Sequence, residues 1–445
     1  MNCGLIWKES ENSFKFDVLR GRMMNIAYGQ GYMPIDIPND RIAGVLSPHC
    51  AVSQRLPEYM VVKQALQCPI ESETLGKMAA DRERILLITS DHTRPMPRRI
   101  TIPLILEEIR TRNPGADIRI LVATGFHRAS TESELKDMFG PGVYGRENIV
   151  MHDSRDKDNM TYKGILPSGG ELWLNGLIDW ADLVIAEGFI EPHLFAGFSG
   201  GRKSILPGIA YEKTVMFNHN SAFIAHPNAH TGQMEGNPLH EDMLFAARAA
   251  KLSFILNVVL DSDKKIIAAF AGDSVKAHEK GCGYVRNVTK VKAKRADIVV
   301  SSNGGYPLDQ NIYQVVKGMT AAEACVNPGG VIIMIASCLD GHGGEGFYRW
   351  FRDAESPREV ADRISRIPAE ETTPDQWEAQ ILARILCKCR VTILVSRDID
   401  PQIVRDMHML HASGFGEALA MADTCLGGRS QIAVIPDGVG VIVEE

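Results

Sequence analysis

Eight short apolar runs, spread along 445 residues and separated by stretches of helical periodicity, constrain this chain more than any other feature. They are RILLIT (84–89), IRILVAT (118–124), ENIVMH (147–152), ADLVIAE (181–187), ADIVVSS (296–302), GGVIIMIAS (329–337), RVTILVS (390–396) and QIAVIP (431–436). Apolar β-branched strands alternating with helices predict an α/β protein with largely parallel sheets. The segment SFILNVVLDSDKKIIAAFAG (253–272) reads instead as a hairpin turning at Asp261-Ser262-Asp263. Helices are expected over 97–113, 239–251, 309–325 and 374–388.

The length suits two domains. The pattern changes near 275–295, where VKAHEKGCGYVRNVTKVKAKRADI passes from apolar strand to charged helix and into a new strand. The expected division is a larger N-terminal α/β domain over 1–275, a connector helix over 276–294, and a smaller doubly wound C-terminal domain over 295–424. The tail, 425–445, is free to return to the first domain.

Composition narrows the function classes. The net charge is −7 and no long basic run is present, which gives no case for nucleic acid or a membrane surface. No apolar run reaches the roughly 18–20 residues of a spanning helix. The first residues, MNCGLIWKESENSFKFDV, carry acids and lack the apolar centre of a signal peptide. Nine cysteines are scattered with no CxxC, which fits reduced thiols. The expectation is a soluble cytoplasmic protein.

Ligands of open α/β sheets bind beyond the carboxyl ends of the strands. Four strand ends here carry polar or glycine-rich loops: Ser90-Asp91-His92-Thr93-Arg94-Pro95, Gly125-Phe126-His127-Arg128, the loop EGFIEPHLFAGFSGGRKSILPG (187–208), and Asn303-Gly304-Gly305-Tyr306-Pro307. Each piece also has a plain reading. His127 and His193 could be loop histidines bonded to carbonyls, Asp91 and Arg94 a local ion pair, and SGGRKS an ordinary turn. SGGRKS also suits an anion at a helix start, yet its spacing is not that of the P-loop. One literal GxGxxG, Gly341 to Gly346, lies several residues beyond its strand, too far for a tight dinucleotide-binding turn. His226 and His230 are separated by Pro227, and His408 and His411 read as an exposed helix surface.

Taken together, DxTRP (Asp91 to Pro95), ATGFHR (Ala123 to Arg128), EPH…GxSGGRKSILPG (Glu191 to Gly208), a histidine sixteen residues past the lysine (His219), and GGYPLDQNIYQVVKGM (Gly304 to Met319) are similar to the nickel-dependent lactate racemase family. The resemblance implies a racemase or epimerase of 2-hydroxy acids that uses a nickel-pincer nucleotide. It implies that Lys203 carries the cofactor through a thioamide and that His219 binds nickel. Asp91, Thr93, Gly200 and Gly201 are then cofactor-binding residues. His127 and His193 become the paired acid–base groups, a duty that suits a side chain titrating near neutral pH. The resemblance further implies that hydride would leave Cα for the cofactor's pyridinium ring and return to the other face of a planar 2-oxo acid. Arg94, Gln314 and Lys317 would hold the substrate carboxylate. Since Gln314 and Lys317 come from the second domain, the site is expected in the interdomain cleft, with closure around the substrate.

Several points stay open. The acid need not be lactate, and Phe126, Phe195, Phe198 and Tyr306 are equally candidates for pocket wall or core. Arg98, Arg99 and Arg128 suit either a second substrate carboxylate or solvent. Rival functions are an NAD-dependent 2-hydroxyacid dehydrogenase, Cα proton abstraction by a lysine–histidine pair with a divalent metal, and a non-catalytic cofactor carrier. The implied partners are a small 2-hydroxy acid and separate proteins that make and deliver the cofactor.

Overall fold

The computed structural model describes residues 23–48, 56–428 and 430–445. The N-terminal segment weighed above as a signal peptide lies outside them. Two six-stranded sheets dominate. In chain order their strands are β1 (Ile42–Val45), β2 (Arg84–Ser90), β3 (Asp117–Ala123), β4 (Asn148–Met151), β5 (Leu183–Phe189), β6 (Leu252–Leu260), β7 (Ile266–Asp273), β8 (Ala296–Ser302), β9 (Val326–Ile335), β10 (Val391–Val395), β11 (Leu410–Ala412) and β12 (Ile432–Ile435). The helices that bear on the site are α1 (Arg98–Arg112), α2 (Lys276–Thr289), α3 (Ile312–Cys325) and α4 (Gln376–Lys388). All eight apolar runs are strands.

The first sheet has the order β7-β6-β5-β2-β3-β4 and is parallel except for the β6–β7 hairpin. In that hairpin's turn Asp261 Oδ1 accepts from the amides of Asp263 and Lys265, at 2.8 and 2.9 Å. The sheet winds outward from β2 in both directions, so its switch point lies between β2 and β5. Those two strands are buried along almost their whole length, as parallel strands covered on both faces must be. The second sheet, β11-β10-β9-β8-β12-β1, is wholly parallel and doubly wound about β8.

The chain crosses between the sheets more often than a division at residue 275 suggests. β1 pairs with β12, and the hairpin Met23–Asp36 packs Ile26, Met33 and Ile35 beneath the second sheet. α2 is not a bare connector. It packs along β6 and β7, and Cys282 and Val285 share an apolar cluster with Ile190 and Phe198. In the tail, β12 belongs to the second sheet, while Ile442–Glu444 pairs with Lys290–Lys292 and places Ile442 in that same cluster. Such edges read as ordinary apolar strands in sequence, because only the tertiary fold says which sheet completes them. The described cysteines are free, and among the described residues no helix is long and apolar enough to cross a membrane.

Candidate active site

The loops after β2, β3 and β5 meet α3 and the first turn of α4 around a cavity of about 260 Å³. The first three elements belong to the first sheet, and the two helices flank the second. The cavity therefore lies between the two units, at the switch point of the first sheet.

One wall follows β2 and β3. Asp91 is 1 % exposed, and its Oδ2 accepts from His127 Nδ1 at 2.7 Å. Its Oδ1 accepts from the Thr93 hydroxyl at 2.6 Å and the Thr93 amide at 3.1 Å. Burial works to raise the Asp91 pKa, but the bonds from His127 and Thr93 and the nearby Arg94 charge outweigh it and leave the carboxyl below its ordinary value. With Nδ1–H committed to Asp91, the ring of His127 presents Nε2 as a base. Thr93 is turned onto Asp91, while Arg94 lines the cavity itself. Beneath this wall runs Arg98 of α1, 3 % exposed, which donates to Ser90 O at 2.6 Å, Asp91 O at 2.5 Å and Thr89 Oγ1 at 3.1 Å.

The opposing chemistry comes from the loop after β5. His193 Nε2 lies 3.2 Å from Lys203 Nζ, and the Phe195 ring sits edge-on to His193, with centroids 4.6 Å apart. Phe195 also meets His219, which in turn packs against Trp377 of α4. Burial, together with the positive Arg202, Arg94 and Lys317, drives the Lys203 pKa well below that of a free lysine. Burial and the neighbouring cations likewise push His193 well below 6.5. Burial lowers His219 to about 3, with Lys203 adding to the effect. His219 Nδ1 donates to Val215 O at 3.0 Å, so its Nε2 keeps a lone pair.

Gly200 and Gly201 have φ of +75° and +52°. A Cβ at Gly200 would stand 2.7 Å from Asn257 Oδ1, and one at Gly201 2.6 Å from the His278 ring. The Gly201 amide is spent on Asn257 Oδ1 at 2.9 Å, so it packs the loop, whereas Gly200 lines the cavity. From the second unit, Lys317 Nζ donates to Gln314 Oε1 at 2.7 Å on α3, and Tyr313 and Glu378 complete the lining.

Thus His127, His193, Lys203, His219, Asp91, Arg94, Gln314, Lys317 and Gly200 converge on one cavity. Other candidates fall elsewhere. Phe126 and Phe195 are wall residues, but Phe198 is fully buried behind the loop and Tyr306 is 57 % exposed, away from the cavity. Arg99 bonds Asp137 O, and Arg128 grips Glu134 with two bonds, so neither reaches the site. His408, at φ 59°, follows a helix that ends at Asp406, and His411 lies on β11; they do not share a helix face. The glycines of Gly341–Gly346 pack against the start of α3, where Gly341 O and His342 O accept from Ile312 and Tyr313. Trp377, Glu378, Tyr313 and Glu187 escaped the sequence reading. Glu187 had a signal, since it ends the apolar run ADLVIAE, and burial raises its carboxyl beneath bonds from Thr89 and Thr101.

Models of the lactate racemase N-terminal and C-terminal domains match residues 28–232 and 291–443. The chain is 54% identical over 423 residues to a lactate racemase from Thermoanaerobacterium thermosaccharolyticum, covering 95% of this chain and 99% of the relative. It is 50% identical over 422 residues to one from Lactiplantibacillus plantarum, with the same coverage. The structure of the T. thermosaccharolyticum lactate racemase apoprotein superposes with a TM-score of 0.92, over 95% of this chain and all of that one. A Thermotoga maritima protein at 17% identity, with a TM-score of 0.65 over 87% of this chain and 98% of its own, shares the fold. The chain belongs to the lactate racemase family.

Proposed function

We propose that this protein interconverts the enantiomers of lactate, and that it does so with a nickel-pincer nucleotide held by Lys203 and His219. The observation that carries the reading is the convergence of two histidines from different strand ends with a desolvated lysine in one cavity. The residues suit the group. A lysine whose charged form is disfavoured by burial is a competent nucleophile for covalent attachment. His219, neutral and fixed by Val215 O, offers one imidazole nitrogen to a metal. Among the described residues no set of three or more His, Cys, Asp or Glu is grouped to hold a metal, and a nickel at His219 would take its other ligands from the group that carries it.

When bound, that group supplies the hydride acceptor, and the protein supplies position and proton transfer. Arg94 and Lys317 hold the lactate carboxylate, Gln314 fixes Lys317, and the plane of the carboxylate is set by the guanidinium. His127 takes the hydroxyl proton from one enantiomer and His193 from the other; each returns it in the reverse direction. Asp91 keeps His127 in the tautomer that exposes Nε2. The apolar faces of Phe126, Phe195 and Trp377 limit water at Cα.

The test is a chiral assay. Cofactor-loaded protein given L-lactate alone should produce D-lactate until the two are equal, and the peptide containing Lys203 should carry the added mass. Failure to invert lactate overturns the reading.

A further inference from the structure

Glu378 is 2 % exposed, lines the cavity, and its Oε1 has no hydrogen-bond partner. Two other buried polar atoms of α4, Gln376 Nε2 and Gln380 Oε1, also lack partners, but neither residue reaches the cavity. A buried polar atom left unpaired on a residue that lines a ligand cavity is one that a ligand group can satisfy with a small rotation of the side chain. We infer that Glu378 is a further substrate-binding residue, whose protonated carboxyl donates a hydrogen bond to the carboxylate of the bound 2-hydroxy acid. This rests on the function proposed above.

The charges around Glu378 decide its form. Burial pushes its carboxyl up to about 8, with Lys317 of α3 pulling it down and Asp375, the residue just before its own helix, pushing it further up. Arg94 and Glu191 face the same cavity, and Tyr313 of α3 stands beside Asp375. A charged Glu378 would repel an anionic substrate at the point where Arg94 and Lys317 attract it. A neutral one turns the repulsion into a third contact. The sequence conceals this, because Glu378 reads as an ordinary acid in the first turn of a helix.

Two near-isosteric variants separate the possibilities. Glu378→Gln keeps a donor of the same shape, and Glu378→Met keeps the volume without one. Steady-state racemisation and calorimetric binding of lactate are measured at pH 7, with thermal melting as the control. The expected result is a KM and Kd within about threefold of the parent for E378Q, and raised roughly tenfold or more for E378M with kcat changed less. E378M should also melt at or above the parent, since an unpaired buried carboxyl is replaced by apolar packing. Equal losses in both variants, or none in either, overturn the inference while leaving the racemase reading intact. A parent protein that neither inverts nor binds lactate overturns both.

Discussion

The two histidine-bearing walls of the cavity solve opposite electrostatic problems. His127 is half-exposed and stands beside a buried carboxylate that orients its ring. His193 is enclosed, makes no ion pair with a carboxylate among the described residues, and shares its space with Lys203 and two further cations. On the first wall the Asp91 carboxylate fixes the ring by accepting from its Nδ1. On the second, burial and the neighbouring cations disfavour a charged ring, and in the proposed function the substrate carboxylate would supply the missing negative charge. Lactate enantiomers have equal free energies, so kcat/KM must be the same in both directions. The difference between the walls can therefore appear only in how kcat and KM are divided.

The largest expected effect strikes the inner wall. Lys203→Ala should abolish racemisation to the detection limit, because the proposed cofactor would lose its anchor, while leaving far-UV circular dichroism unchanged. Full activity in this variant would break the proposed division of labour. Next, His127→Asn and His193→Asn should each cost about 10²–10⁴ in racemisation rate, measured by chiral chromatography. Losses confined to one histidine would show that a single base suffices.

A smaller effect tests the orienting carboxylate. Asp91→Asn should cost on the order of 10²-fold in kcat, by weakening the tautomer control of His127, and should lower the thermal melt at neutral pH. The Asp91 pKa lies below its ordinary value, so the contribution of the pair is present above about pH 4 and lost as pH falls through the folded-state value. A parent pH profile in which Asp91 titrates near neutral pH would contradict the geometry.

The smallest effect concerns the backing of the inner wall. His152 bonds Ala210 O, His240 accepts from Arg202, and His278 packs on Gly201, so all three support the loop that carries Lys203. Burial lowers them to about 4, 4 and 3 from an ordinary 6.5. The unfolded chain binds protons that the folded one refuses, so stability is full above pH 6.5 and falls as pH drops towards 4. The slope should be about 1.4 kcal/mol per pH unit for each histidine, read from denaturant titrations. Replacing His152 by Gln should flatten it by one such share.

The strand-end residues of this site were legible because their chemistry is local. Asp91, His127, His193 and Lys203 each sit within a few residues of a strand that the apolar pattern marks. The family motifs then tied those loops together. What stayed hidden was set by tertiary crossing. Trp377 and Glu378 reach the cavity only because α4 of the second unit leans over the first, and β1 joins the second sheet although it precedes β2 in the chain. Phe195 and Phe198 lie three residues apart, yet the short strands Pro192–His193 and Gly197–Phe198 send one into the cavity and the other into the cluster with Ile190 and Val285. Spacing alone does not distinguish them.

The central claim is that each wall handles the proton of one enantiomer. A single-turnover experiment with cofactor-loaded protein tests it most directly, by following 2-oxo acid formation from pure L-lactate and pure D-lactate in the His127→Asn and His193→Asn proteins. Complementary losses are expected, each variant still oxidising one enantiomer at close to the parent rate and failing with the other. Both variants failing equally with both enantiomers, or failing with the same one, would contradict it.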